Sequence, residues 1–251
     1  MPTHTPFALR MELREPIIPG RRLMLDGLLS ALLFERTGDA RRAVEEIPLG
    51  RIGRMWCGSQ VLLEGACEAV PAVHVMALRA AIDLYPAAVR PTGRAGRYPA
   101  VDKTRGPYQN RLDTRRAYEA HAVWFCGFGD IATVHDLLAD VPAIGTKRSS
   151  GYGRIREGSL EVEPIEARHP GVMLCDGSPA RAVPIVTWRS LGGRDDVEMA
   201  AEMAEPPYWR GEHVPCAVPN HLVVSSRTAA SLVGLAGDIG HDAGRVQAPS
   251  P

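Results

Sequence analysis

An α+β fold with the element order βαββαβ is what this sequence predicts, and three observations predict it. The first is an alternating apolar segment near the start, followed by a leucine stripe of helical period. The second is a continuous apolar run at residues 120–129, followed by another helical stripe. The third is a return to alternation at 158–165, directly after a glycine-rich loop. With one or two strands between the first helix and the central run, this is the ferredoxin-like layout. Such a sheet is antiparallel and carries both helices on one face, with the other face open.

In order along the chain, Phe7, Leu9, Met11 and Leu13 alternate with Ala8, Arg10, Glu12 and Arg14. A period of two marks a strand with one buried face. Pro16 and the Pro19-Gly20 pair end it. Leu25, Leu28, Leu29, Leu32 and Leu33 form one helical stripe, with Asp26 as the expected N-cap and Gly38 as the expected stop. Ile52, Trp56 and Val61-Leu62-Leu63 mark one or two short strands, and residues 70–85 fit a strand or a short helix. The run Ala120-His-Ala-Val-Trp-Phe-Cys-Gly-Phe-Gly129 reads as a central strand. Asp130 then caps a helix carrying Ile131, Val134, Leu137, Leu138 and Val141 on one face, and Pro142 closes it. Residues 1–165 are expected to form this domain. A Pro-rich extended segment follows at 166–224, with a strand expected at Val183–Trp188, and a weakly ordered tail at 225–251.

The chain has 251 residues, 45% of them hydrophobic, which is enough for one sizeable core. The formal net charge is zero. That excludes a uniformly basic nucleic-acid binder but not a basic face balanced by an acidic one. Five cysteines lie at 57, 67, 126, 175 and 216, with no Cys-x-x-Cys spacing, and read as free thiols in a reducing compartment. Neither a metal nor another cofactor is expected. With no apolar run long enough to span a membrane, the expected location is the cytoplasm.

Residues 87–118 break the pattern. Arg90, Arg94, Arg97, Lys103, Arg105, Arg111, Arg115 and Arg116 face only Asp102 and Asp113. Tyr98, Tyr108 and Tyr118 are interleaved, and the prolines and glycines forbid a regular element over 87–118. A basic inserted arm is expected, because long irregular loops in compact domains are usually functional or disordered.

The chemistry concentrates at Gly145-Thr-Lys-Arg-Ser-Ser-Gly-Tyr-Gly-Arg154. Gly145, Gly151 and Gly153 permit positive φ and close approach of another backbone. Exposed N–H groups in such a loop form an anion-binding concavity. Lys147, Arg148 and Arg154 supply charge for phosphates, and Thr146, Ser149 and Ser150 supply hydroxyls. Tyr152 offers a face for a stacked base. The loop follows a helix and precedes a strand, the opposite polarity to a dinucleotide-binding turn, and Lys147 lies too early for a Walker loop.

A helix, a basic loop of the form Gly-x-Lys-Arg-x-x-Gly-x-Gly-Arg and a strand together resemble the signature of the repeat-associated (RAMP) proteins of CRISPR antiviral defence. The segment Leu25-Asp-Gly-Leu-Leu-Ser-Ala-Leu-Leu33 is similar to the first helix of these proteins. Across roughly residues 7–219 the chain looks most like the Cas-five-like subunit of type IV systems, including the Pro-rich segments around Val183-Pro184-Ile185 and Pro207-Tyr208-Trp209. That resemblance implies a non-catalytic subunit that binds the 5′ handle of a guide RNA and caps a ribonucleoprotein filament. Its implied partners are the guide RNA, Cas-seven-like backbone subunits, a large subunit and, through the complex, a target nucleic acid. The rival is a Cas-six-like endoribonuclease that processes guide precursors on the same fold. It needs a general base such as His74, His121 or His135. No histidine occurs between His4 and His74, where one following the first strand would serve.

Overall fold

A computed structural model describes residues 4–20, 22–65, 69–76, 111–206, 208 and 211–235. The chain divides into two compact units, Ala69–Ala117 and the remainder, Met1–Glu68 with Tyr118–Pro251. The elements, in order, are β1 (Thr5–Glu12), α1 (Leu25–Thr37), α2 (Ala40–Glu45), β2 (Arg51–Ile52), β3 (Met55–Trp56), β4 (Leu62–Glu64), β5 (Ala69–Met76) and β6 (Arg111–Tyr118). There follow β7 (Ala122–Gly129), α3 (Ile131–Leu138), β8 (Glu161–Pro164), β9 (Val183–Pro184), α4 (Ile185–Ser190), β10 (Met199–Glu202), β11 (Val214–Ala217), β12 (Val223–Val224) and α5 (Ser226–Val233). The class is therefore mixed α+β.

Five strands form the main sheet in the order β12-β4-β7-β1-β8. β1 runs antiparallel to both β7 and β8, and β4 antiparallel to β7, while β12 joins β4 in parallel. Alternation along the strands sorts the side chains between two faces. Phe7, Leu9, Met11, Leu63, Val123 and Phe125 pack with α1 and α3. Ala8, Leu62, Trp124 and Cys126 point to the other side. That second face is not open, as the sequence suggested. Helix α5 lies on it, burying Ala229, Ala230, Leu232 and Val233 with Ile165 and Leu174. The reason lies at Ser225, where a tail was expected. Its hydroxyl accepts from the Thr228 N–H at 3.2 Å and starts a helix whose apolar residues match that face.

The caps divide in the same way. Asp130 accepts from the N–H groups of Ala132 and Thr133, and Gly38 ends α1 in the left-handed region. Asp26, however, is not the cap of α1. Met24 precedes the first turn, and the Asp26 carboxylate is turned inward, fully buried against Arg181. At 183–188 only Val183–Pro184 is strand. The chain then turns into α4, so that Trp188 is fully buried and its Nε1–H donates to the Arg194 carbonyl at 2.7 Å. Around it, β10, β11 and β9 form a small antiparallel sheet.

The described residues of the second unit form a two-stranded sheet of β5 and β6. The strand β6 overturns the expectation that 87–118 lacks regular structure, although 87–110 lie outside the described residues. Val70, Val73 and Leu112 are exposed on this pair. Among the described residues the cysteines are free, and burial pushes the thiols of Cys57 and Cys126 up to about 11, far from reactive. No helix of the described residues is long and apolar enough to cross a membrane.

Candidate nucleic-acid interface

Between α3 and β8 the chain makes a hairpin-like excursion held by the backbone on both sides. The Thr146 N–H donates to the Ile18 carbonyl at 2.8 Å, and the Gly153 N–H donates to the Pro16 carbonyl at 2.8 Å. The Ile144 N–H closes the base of the loop on the Gly153 carbonyl at 3.0 Å, and the Arg14 N–H meets the Arg154 carbonyl at 2.8 Å. Inside the loop, Arg148–Ser150 form a single 3₁₀ turn, with the Ser150 and Gly151 N–H groups bonded to Lys147 and Arg148. Gly145, Gly151 and Gly153 all have positive φ, as does Lys147 at 59°. Four N–H groups of the loop are thus spent on its own anchoring. The anion-binding capacity falls more to side chains than the glycine content alone suggests.

Those side chains border a groove of about 740 Å³. Arg148 and Arg154 come from the loop, Arg14 from the end of the β1 segment, and Arg156 from the extended chain beyond. Glu35, Asp140 and Glu157 share the lining, over a floor that includes Met11, Leu138 and Ile155. Among the described residues the Arg14 and Arg154 guanidinium groups have no carboxylate partner. Arg148 stands 4.0 Å from Glu35, and Arg156 is 3.0 Å from Glu12. Unpaired guanidinium groups on a concave surface suit phosphate oxygens, which they meet bidentately.

The structure therefore brings Arg148 and Arg154 together and adds Arg14 and Arg156, which the sequence reading did not select. Their signal was available: Arg14 continues the polar register of β1, and Arg156 is two residues from Arg154 on an extended segment, hence on the same side. Lys147 is half-buried, while Ser149 and Ser150 are exposed at the loop tip. Tyr152 is half-buried and is not part of the groove lining. Of the inserted arm, Arg115 and Arg116 are exposed on β6, and Arg115 is tied to Asp113 at 2.8 Å. Arg111 belongs to the same strand, and Arg90, Arg94, Arg97, Lys103 and Arg105 lie outside the described residues.

The helix, the glycine-cornered basic loop and the strand thus stand in the order that the sequence predicted. The family model described as CRISPR type IV associated protein Csf3 matches residues 87–219, just over half of the chain, and the chain belongs to that family. It is accordingly a protein associated with type IV CRISPR systems. No curated protein matches it. Among solved structures, one described as the cryo-EM structure of the Type III-B Cmr-beta complex bound to cognate target RNA is similar at 12% identity and a TM-score of 0.36. The similarity covers 64% of this chain and 61% of the other, so this chain spans less than two thirds of that relative.

Proposed function

We propose that this chain is the non-catalytic subunit that holds the 5′ handle of a guide RNA and caps the backbone of the effector complex. The observation that carries the reading is the groove beside the 145–154 loop, where Arg14, Arg148, Arg154 and Arg156 converge. Phosphates of the handle lie along it, and Lys147 stands at the left-handed corner of the loop. We assign further RNA contacts to the arginines of the 90–116 arm. Backbone subunits of the Cas-seven kind and a large subunit are the protein partners.

We read the main sheet as a ferredoxin-like core with β12 added. In support, β4, β7, β1 and β8 stand in the antiparallel order that two interleaved βαβ units produce, with α1 and α3 as the crossovers. The titratable groups of the described groove lining are its arginines and the carboxylates Glu35, Asp140 and Glu157, while His121 and His135, the bases the rival reading would use, are exposed elsewhere.

The test uses a fluorescent RNA carrying the repeat-derived handle, with anisotropy read across a salt series. The double change Lys147→Ala with Arg148→Ala should weaken binding roughly tenfold or more, at about 1.5 kcal/mol or more per lost charged hydrogen bond. It should also lower the slope of log K against log salt by about 1.4, since single strands give roughly 0.7 per phosphate contact. Unchanged affinity and slope would remove the loop from the interface. Site-specific cleavage of the repeat RNA by the purified protein would instead put the Cas-six-like endoribonuclease first.

A further inference from the structure

On the second face of the main sheet, between the edge strand β8 and helix α5, lies a groove of about 840 Å³. The register sets its chemistry. Glu163 stands opposite Ala8 and Glu161 opposite Arg10, so both glutamates project on the same side as Arg10 and Trp124. Glu166 extends that wall beyond the strand, and α5 supplies the far wall through Ser226 and Ala230. The one cation among its described lining residues is already engaged. Arg10 bonds Glu64 at 3.0 Å and Glu12 at 3.2 Å, and lies 3.8 Å from Glu161. Among the described residues Glu163 and Glu166 have no cationic partner.

Two further features bear on what the groove accepts. Among the described residues β8 pairs only with β1, so its outer edge offers free backbone N–H and C=O groups for strand addition. The floor is partly apolar, with Ala8 and Trp124 beneath the carboxylates. An RNA strand is repelled by such a wall. The chain's own residues 236–251 offer no excess of positive charge either, with Asp238 and Asp242 against Arg245. We infer that this groove docks an extended lysine- or arginine-rich segment of another polypeptide, which adds to β8 as a strand and sets its cations against Glu161, Glu163 and Glu166. The inference does not depend on the guide-RNA reading, which concerns the separate groove beside the 145–154 loop.

The test titrates the full chain with a labelled peptide of alternating Lys and Val, about nine residues long to match one strand. Two controls accompany it, the same peptide with Glu for Lys and one N-methylated at alternate residues. Wild-type protein should bind the lysine peptide and not the glutamate peptide. N-methylation should weaken binding roughly tenfold by blocking the strand hydrogen bonds. The double reversal Glu163→Lys with Glu166→Lys should weaken it by a similar factor. Both glutamates are exposed, so this variant should keep the wild-type urea midpoint, which checks that it is folded. Equal binding of the N-methylated peptide, or unchanged binding by the variant, would overturn the proposal. A gain in peptide affinity on deleting residues 236–251 would overturn it too, making that segment the occupant.

Discussion

Gly153 has a φ of 66°, and a Cβ built on it would stand 2.0 Å from the Ile144 carbonyl oxygen, the partner strand of the loop's own base. Gly151, only two residues earlier, has a φ of 95° but nothing within 4 Å of the corresponding point. Both residues looked alike in the sequence, where each marked a loop able to take positive φ. The structure separates them by what surrounds the missing side chain. Gly151→Ala should cost about 1 kcal/mol, the strain of a left-handed alanine alone. Gly153→Ala adds a backbone clash that can be relieved only by opening the loop, and should cost about 3 kcal/mol or more. Urea denaturation of the two variants checks the ranking, and equal losses would show that the loop base yields freely. The placement of Arg14 is a residue-scale lesson of the same kind. Its contribution depends on the Arg14–Arg154 backbone contact across 140 positions, which no local pattern announces.

At the scale of elements, the C-terminal segments are held to α1 by a buried polar cluster. Arg181 and Asp26 are both fully buried, 2.9 Å apart, and the Tyr208 hydroxyl donates to Asp26 at 2.7 Å and accepts from Arg181 at 2.8 Å. The same guanidinium donates to the carbonyls of Trp56, Gly58 and Ala204. Burial works against the charge on Arg181, but Asp26 and the hydrogen bonds outweigh it and keep the group protonated. Burial likewise raises the Tyr208 hydroxyl well above its ordinary value, so it stays a neutral donor. Arg181→Ala leaves Asp26 buried without its partner and should cost about 3–5 kcal/mol. Tyr208→Phe removes one hydroxyl and keeps the ion pair, and should cost about 1–2 kcal/mol. A smaller loss for Arg181→Ala than for Tyr208→Phe, in chemical denaturation, would contradict the arrangement. Sequence reasoning assigned Asp26 to a helix cap because an acidic residue beside a leucine stripe usually serves there. Nothing local distinguishes a cap from a partner 155 residues away.

For the whole molecule, periodicity revealed the parts of the fold that depend on neighbours in sequence: the alternating β1, the central β7, the leucine stripe of α1 and the cap of α3. What it missed depends on long-range closure. The residues of α5 are small and polar enough to read as a tail, and only the apolar face offered by Ala8, Leu62 and Trp124 makes them a helix worth ordering. Glu64 is the polar tie that joins this closure to the sheet. It lies on β4 with a side chain only 7% exposed. It accepts from Arg10 of β1 at 3.0 Å, from Trp124 Nε1 of β7 at 2.6 Å and from Ser226 of α5 at 2.8 Å. Burial opposes its ionisation, yet the bonds from Arg10, Trp124 and Ser226 together hold its carboxyl below the ordinary range. A carboxyl lowered in the folded state stabilises fully above its unfolded value of about 4.3, and that stability is lost as pH falls through the folded value. Glu64→Gln keeps the shape but not the charge, and should cost about 1–3 kcal/mol at neutral pH. The urea midpoints of wild type and variant should therefore differ by a constant amount above about pH 5 and converge below about pH 4. Taking the difference cancels the other acidic groups whose values are also lowered, Asp39, Asp130, Asp176 and Asp196. Trp124 fluorescence reports the same event directly, because its indole donates to the carboxylate being protonated. A gap that stayed constant to the acid limit, or widened, would show that Glu64 does not tie α5 to the sheet through its charge.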